Sequence, residues 1–276
     1  MHAPKLTRLN LSNSIIRDRV GWRLAALERW PLLIELNLCS NRLGRRTAQA
    51  LAANRGLAQL LKLDLGWNRI RLPGVRALAA SPHLGNLIDL NVGGNMIRDE
   101  GVKVLAASPY LTKLRRLELA ANRLTTPALA ALAESALLNN LTELHLTLNR
   151  LDDAAAIALA KSPPRPNLTI LTLSDNRIGA AGANALAASP LLDGLTGLSL
   201  SDNPIGPEGG MALADSGHLA HLEWLHVSRC GLNDRAAVAL AESPHLARVK
   251  SITIGLDELG KAGRKALRKR WGDQVY

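Results

Sequence analysis

Histidine, cysteine, arginine and tryptophan are the residues here best suited to catalysis, metal binding or ligand anchoring, and their spacing narrows those uses. The seven histidines are scattered, with His83, His218 and His245 in expected loops, and none belongs to the H-E-x-x-H pair with which a helix holds zinc. Cys39 and Cys230 are the two cysteines, and without a C-x-x-C pair they suggest neither a zinc site nor a disulfide framework. No G-x-S-x-G elbow presents a serine nucleophile, and no glycine-rich phosphate loop follows a strand. Enzymatic activity is therefore not expected, and neither is a cofactor or a metal. What remains are residues that bind. Trp67 and Trp224 carry the large rings favoured at contact surfaces, and Arg42, Arg69, Arg123, Arg150 and Arg177 can hold anions.

A repeat positions these residues. The segment Leu33-Ile34-Glu35-Leu36-Asn37-Leu38-Cys39-Ser40-Asn41-Arg42-Leu43 has the form L-x-x-L-x-L-x-x-N-x-L. Its asparagine recurs at Asn41, Asn68, Asn95, Asn122, Asn149, Asn176 and Asn203, always 27 residues on, without insertion or deletion. The same register reaches Ser14, Cys230 and Asp257, where the flanking pattern persists as Leu6, Leu9, Leu11; Leu222, Leu225, Val227; and Val249, Ile252, Ile254. The chain reads as ten repeats.

Physical chemistry assigns each column an element. The L-x-L alternation makes a short strand with its leucines on one face, and stacked repeats pair such strands in parallel about 4.8 Å apart. The recurrent asparagine stands at the strand exit, where its amide can satisfy backbone groups left unpaired by the turn, forming a buried ladder. Small residues at Gly74, Gly101, Ala128, Ala155, Gly182, Gly209 and Ala236 are each followed four residues on by leucine, as on one helix face. Ser-Pro steps at 81–82, 108–109, 162–163, 189–190 and 243–244 end those helices. Apolar residues make up 47% of the chain, yet phenylalanine is absent and aromatics reach 3%, which suits many thin aliphatic layers. The expected fold is an α/β solenoid of about ten repeats, a horseshoe or arc with a parallel β-sheet on its concave face and α-helices on its convex face.

The phrase G-x-x-A-L-A-x-S-P, in variant forms at Gly74 to Pro82, Gly101 to Pro109 and Gly182 to Pro190, adds a resemblance. The sequence resembles leucine-rich-repeat proteins of the ribonuclease-inhibitor-like subfamily, in their bacterial form with 27-residue repeats, over essentially its whole length. The closing Ala266-Leu267-Arg268-Lys269-Arg270-Trp271-Gly272-Asp273 is similar to the tail of those proteins. The resemblance implies the arc, implies that Cys230 is an accepted substitute for the asparagine, and is silent on the partner.

A single domain over 1–276 is expected, with repeats over 6–259 and a capping helix over 260–271 whose apolar stripe is Gly263, Leu267 and Trp271. The first repeat carries Trp22 and Trp30 where others use small residues or leucine. Either these cover an open edge, or the chain is the C-terminal part of a longer protein. An uncapped strand edge can also pair with a second copy, so the expected states are a monomer and an end-to-end dimer. No run of about eighteen apolar residues predicts a membrane span. The start MHAPKLTRLNL lacks the apolar core of a signal peptide, so a cytoplasmic, reduced protein is expected.

The outward positions lie six, four, two and one residues before the asparagine. The four-before column is polar throughout, and the two-before column is small, which leaves a groove floor. Candidate partner-binding residues on this face are Asp64, Glu118, His145, His226, Arg116 and Glu143, interrupted by Trp67 and Trp224 as exposed anchors. For the tryptophans the alternative use is filling space beside Gly66 and Gly93. His145 and His226 stand three repeats apart, roughly 14 Å at strand spacing, too far to share a metal. Cys39 and Cys230 stand seven repeats apart, about 34 Å, so no intramolecular disulfide is expected.

The formal charge is +11, of which Lys261, Arg264, Lys265, Arg268, Lys269 and Arg270 against Asp273 place +5 in residues 261–276. The arginine column forms a possible anion rim, or else its stems cover apolar surface while Asp175 and Asp202 offset its charge. The leading reading is a protein-interaction scaffold with a macromolecular partner on its concave sheet. The alternatives are an anion or nucleic-acid binder using the arginine rim and basic terminal helix, and a remnant array of a larger protein. Too few aromatics accompany the charges to make a stacking platform for single strands.

Overall fold

The computed structural model describes residues 5–27 and 30–275. Strands form where a leucine or isoleucine stands between the two outward positions of each repeat. They are β1 (Arg8–Asn10), β2 (Glu35–Asn37), β3 (Lys62–Asp64), β4 (Asp89–Asn91), β5 (Arg116–Glu118), β6 (Glu143–His145), β7 (Ile170–Thr172), β8 (Gly197–Ser199), β9 (Trp224–His226) and β10 (Ser251–Thr253). The helices are α1 (Arg17–Ala25), α2 (Arg45–Ala53), α3 (Arg71–Ala79), α4 (Arg98–Ala106), α5 (Thr126–Ala133), α6 (Ala136–Asn140), α7 (Asp153–Ala160), α8 (Ala180–Ala187), α9 (Gly206–Asp215), α10 (Asp234–Glu242) and α11 (Lys261–Trp271).

Although the sequence period runs unbroken, the backbone groups into two compact units. The first runs through Arg123 and adds Ser135–Leu141; the second comprises Leu124–Glu134 and everything from Thr142 onward. In the first unit β1 to β5 pair in parallel and in register, so that Leu9, Leu36, Leu63, Leu90 and Leu117 stand side by side. In the second, β6 to β10 do the same with Leu144, Leu171, Leu198, Leu225 and Ile252. From Leu36 onward all of these side chains are buried. Leu6, Leu9 and Leu11 of the first repeat are only half-buried. Of its two tryptophans, Trp30 lines a small gap with Leu9, Leu24 and Leu33, whereas Trp22 stays 38% exposed on α1.

A three-residue strand supplies few ladder bonds, so side chains take over at its exit. In the first unit Asn41, Asn68, Asn95 and Asn122 are buried, as are Asn149, Asn176 and Asn203 in the second. Asn68 shows the pattern. Its Nδ2 donates to the carbonyls of Leu38, Leu65 and Gly66 at 3.0–3.1 Å, and its Oδ1 accepts from the N–H groups of Asn41 and Leu43 at 3.0 and 2.8 Å. One amide thus ties two repeats together. Cys230 keeps part of this pattern: its Sγ donates to Leu200 O at 3.2 Å, the carbonyl equivalent to the one each asparagine reaches thirty residues back. Ser14 is exposed, and the side chain of Asp257 lies outside the described residues.

A second ladder runs along the helix ends. The serines of the Ser-Pro steps do more than stop helices: Ser81, Ser108, Ser189 and Ser243 donate Oγ–H to Ala52, Ala79, Ala160 and Ala214 O at 2.5–2.6 Å, and Ser216 does so to Ala187 O. Ser162 sits 3.5 Å from Ala133 O because the buried Arg165 donates Nη2–H to that oxygen at 2.6 Å. Arg270, 27 residues after Ser243, occupies the serine register in α11. Its Nη1 reaches Ala241 O and Ser243 O at 2.7 and 2.8 Å, and its guanidinium lies 4.8 Å from the Trp271 ring centroid. Gly263, Leu267 and Trp271 are the buried face of α11.

Aspartates couple neighbouring helices. Asp18 on α1 accepts from Gly44 N, Thr47 N and Thr47 Oγ1 at 2.7–3.0 Å, capping α2. Asp153 does the same for Gly179 and Gly182 at the start of α8. Burial pushes the Asp18 carboxyl up, but the Thr47 hydroxyl and backbone N–H groups together hold it below its ordinary value.

Replacing Asn68 by alanine leaves buried N–H and C=O groups without partners. It is expected to destabilise the protein by about 3 kcal/mol or more, lowering Tm by roughly 6–12 °C in thermal unfolding. An unchanged Tm would show that the ladder is not what holds the turns.

Candidate functional site

On the solvent face of the first unit, the six-before column alternates in sign: Arg8, Glu35, Lys62, Asp89, Arg116. Because the strands are in register, opposite charges meet. Arg8 and Lys62 lie 3.5 and 3.3 Å from Glu35, while Arg116 lies 3.3 Å from Asp89 and 4.0 Å from Glu118. The four-before side chains turn back on their own backbone. Asn10, Asn37, Asp64, Asn91 and Glu118 each accept from the N–H two residues on, at 2.8–2.9 Å. Rows of charge and amide enclose an open groove of about 330 Å³ lined by Asn37, Lys62, Asp64, Asp89, Asn91 and Arg116 among others.

Asp64 and Arg116 therefore line this groove, and Glu118 stands beside it. Sequence reasoning did not single out Lys62, Asp89, Asn37 or Asn91. The available signal was the alternating sign of the six-before column for Lys62 and Asp89, and the polar four-before column for Asn37 and Asn91.

The second unit presents different chemistry. His145 Nε2 lies 3.2 Å from Glu143 Oε2 and its Nδ1 3.2 Å from Thr172 Oγ1. Thr147 donates to Thr172, and Ser174 and Ser199 share a 2.6 Å hydrogen bond. Trp224 is half-buried rather than an exposed anchor. Its indole lies across Gly197, where a Cβ would come within 2.1 Å of the ring, and its centroid is 4.7 Å from that of His226. Burial lowers the His226 pKa from its ordinary value. Among the described residues no three His, Cys, Asp or Glu side chains group as metal ligands.

At the strand exits, Trp67 is 57% exposed. Its ring lies on Gly94. Arg42, Arg69 and Arg123 are exposed in the first unit, and Arg150 and Arg177 in the second. Asp202 does not offset this column, because its carboxylate is paired with Arg229. On α11, Lys261, Arg264, Lys265, Arg268 and Lys269 line a shallow cationic surface that excludes the inward Arg270. Both cysteines are free; Cys39 is half-buried and Cys230 buried. Burial pushes the Cys230 thiol up to about 12. No helix among the described residues is long and apolar enough to cross a membrane.

In-register parallel strands, a buried asparagine ladder and one helical connection per repeat define a leucine-rich-repeat fold. The family described as Leucine Rich repeat matches residues 59–79, 84–106, 138–160, 166–187, 195–214 and 218–241. The chain is a leucine-rich-repeat protein. No curated protein sequence matches it. Among solved structures, a chain of the yeast Rad7 and Elc1 complex is similar at 18% identity and a TM-score of 0.63, over 94% of this chain and 66% of that one. The functional domain of InlJ from Listeria monocytogenes is 17% identical with a TM-score of 0.48, over 99% of this chain and 58% of that one. The plant peptide hormone receptor RGFR1 in complex with RGF2 is 19% identical with a TM-score of 0.48, over 84% of this chain and 33% of that one. The yeast likeness is one of fold, and this chain spans just under two thirds of that relative.

Two outcomes follow. Trp224→Ala uncovers His226, so its pKa, read by NMR titration, is expected to rise toward its ordinary 6.5. In the wild type the neutral ring contributes stability that is full above that value and lost as pH falls through the folded-state pKa. An unmoved titration would show that Trp224 does not desolvate His226. In native buffer near pH 8, a thiol reagent is expected to label Cys39 well before Cys230, whose thiol stays protonated and covered. Equal labelling rates would contradict that burial.

Proposed function

We propose that this protein is a non-enzymatic interaction scaffold of the ribonuclease-inhibitor-like type, holding a protein partner on the solvent face of its sheet. The observation that carries the reading is the groove of the first unit. Its walls hold charges of both signs in register, and no hydrogen bond engages Nδ2 of Asn37 or Asn91 among the described residues. Such a surface offers donors and paired charges to a polar chain without arranging a nucleophile, a base or a metal ligand set. Exposed pairs of this kind contribute only about 0–1 kcal/mol each to folding, so their pattern is better suited to selecting a partner than to holding the fold.

In this reading Asp64, Arg116 and Glu118 serve the first unit's face, and Glu143, His145, Trp224 and His226 that of the second. The similar yeast chain belongs to a complex of two proteins, which supports the class of partner and not its identity. Two free cysteines are compatible with the cytoplasmic setting we infer.

The test is affinity capture from the native host with wild type and the double charge reversal Lys62→Glu, Arg116→Glu. Capture of the specific partner is expected to fall roughly tenfold or more, with a Tm within a few degrees of wild type. Identical partners in identical yield would remove the groove from the reading.

A further inference from the structure

The strand-exit rim of the first unit carries a surface distinct from the groove. Arg17, Arg42, Arg69, Arg71, Arg98 and Arg123 stand there in stacked loops, all exposed. Backbone bonds tie each loop to its neighbour: Arg17 N to Asn41 O, Arg69 N to Leu43 O, Arg71 N to Asn95 O and Arg98 N to Asn122 O, at 2.7–3.2 Å. The cations consequently form two interrupted columns, Arg42, Arg69 and Arg123 and Arg17, Arg71 and Arg98, with successive members one or two strand spacings of about 4.8 Å apart. None of them forms an ion pair among the described residues.

Acids in the same loops are already engaged. Asp18 is bonded to Gly44 and Thr47, Glu100 is paired with Lys103 at 2.7 Å, and Asp99 has its own partner. The second unit's rim is instead mixed in sign, with Asp175 present and Asp202 paired to Arg229. In the middle of the first unit's strip stands Trp67, its indole lying on Gly94.

The turns that carry these side chains share one backbone conformation. Arg17, Arg42, Trp67, Arg71, Arg98 and Arg123 all have φ between 53 and 62°, in the left-handed region that disfavours side chains. Equivalent loop positions adopt the same φ with Gly94, Gly206 and Gly231 and also with Ile15, Ser40, Met96, Ala121 and Leu148, so the left-handed turn is a property of the repeat.

We propose that this rim docks an extended acidic segment of a protein partner, with Trp67 seating one large apolar side chain. Guanidinium groups spaced along a strip match a run of carboxylates through charge-assisted hydrogen bonds. A lone indole fits one apolar anchor, whereas single-stranded nucleic acid calls for a series of stacking rings. The inference rests on the protein-partner reading above and specifies the chemistry that partner presents.

The probe is a labelled peptide of about fifteen glutamates broken by a central leucine pair, followed by fluorescence anisotropy, with an oligo(dT) strand of equal length as competitor. The wild type is expected to bind the peptide and to lose roughly tenfold in affinity between about 50 and 200 mM salt. Trp67→Ala is expected to weaken binding about tenfold. The triple variant Arg42→Gly, Arg71→Gly, Arg98→Gly is expected to weaken it at least as much while keeping or raising Tm, because glycine suits these backbones. Arg177→Ala, on the second unit, is expected to change nothing. Absence of peptide binding, affinity unaffected by the triple variant, or tighter binding of oligo(dT) would overturn the proposal. A host partner lost with the groove reversal but retained by the triple variant would overturn it too, while leaving the scaffold reading intact.

Discussion

Every repeat must turn sharply out of a strand only three residues long, and the turn points backbone N–H and C=O groups into the core. Buried without partners, each would cost about 1–3 kcal/mol. The ladder asparagine answers this because a primary amide donates and accepts at once. Asn68 satisfies three carbonyls and two N–H groups drawn from consecutive repeats. With that constraint met the leucines can stack, and the sheet register follows. Cys230, able to donate from sulfur but only weakly to accept, stands where the series approaches its end.

The remaining framework applies the same rule to the helices. Serine hydroxyls satisfy the last carbonyls of the preceding helix, and aspartates satisfy the first N–H groups of the following one. Each bond crosses from one repeat to the next, so stability accumulates between nearest neighbours. Arg270 applies the rule to the final helix with a different group: a guanidinium reaches carbonyls that a serine would otherwise meet, and the adjacent indole covers its face.

Because backbone and inward columns carry the fold, outward columns are free to vary. The first unit uses that freedom for alternating charge and amides, and the second for hydroxyl and imidazole groups. The left-handed loop positions are another such column, carrying arginine or tryptophan in some repeats and serine, methionine, alanine or glycine in others.

The 27-residue asparagine period determined by itself the strands, their parallel register, the buried ladder and the place of Cys230, because equal spacing makes distant residues neighbours. It also placed Gly263, Leu267 and Trp271 on one helix face. Tertiary structure alone decided how side chains on a known face are aimed. Trp224 lies down over Gly197 because only glycine leaves room for the ring, whereas Trp67 stands open beside Gly94. The Ser-Pro serines read as helix stops, yet their hydroxyls bond a carbonyl 29 residues back; Arg270 read as part of a solvated basic face and turns inward. Nor does the spacing of a repeat announce φ: Arg42 and Arg69 each stand five residues after a strand, yet only Arg42 has a left-handed backbone. Column periodicity reports who is adjacent to whom. Rotamer, backbone sign and the partner each polar atom chooses depend on three-dimensional competition for space and hydrogen bonds.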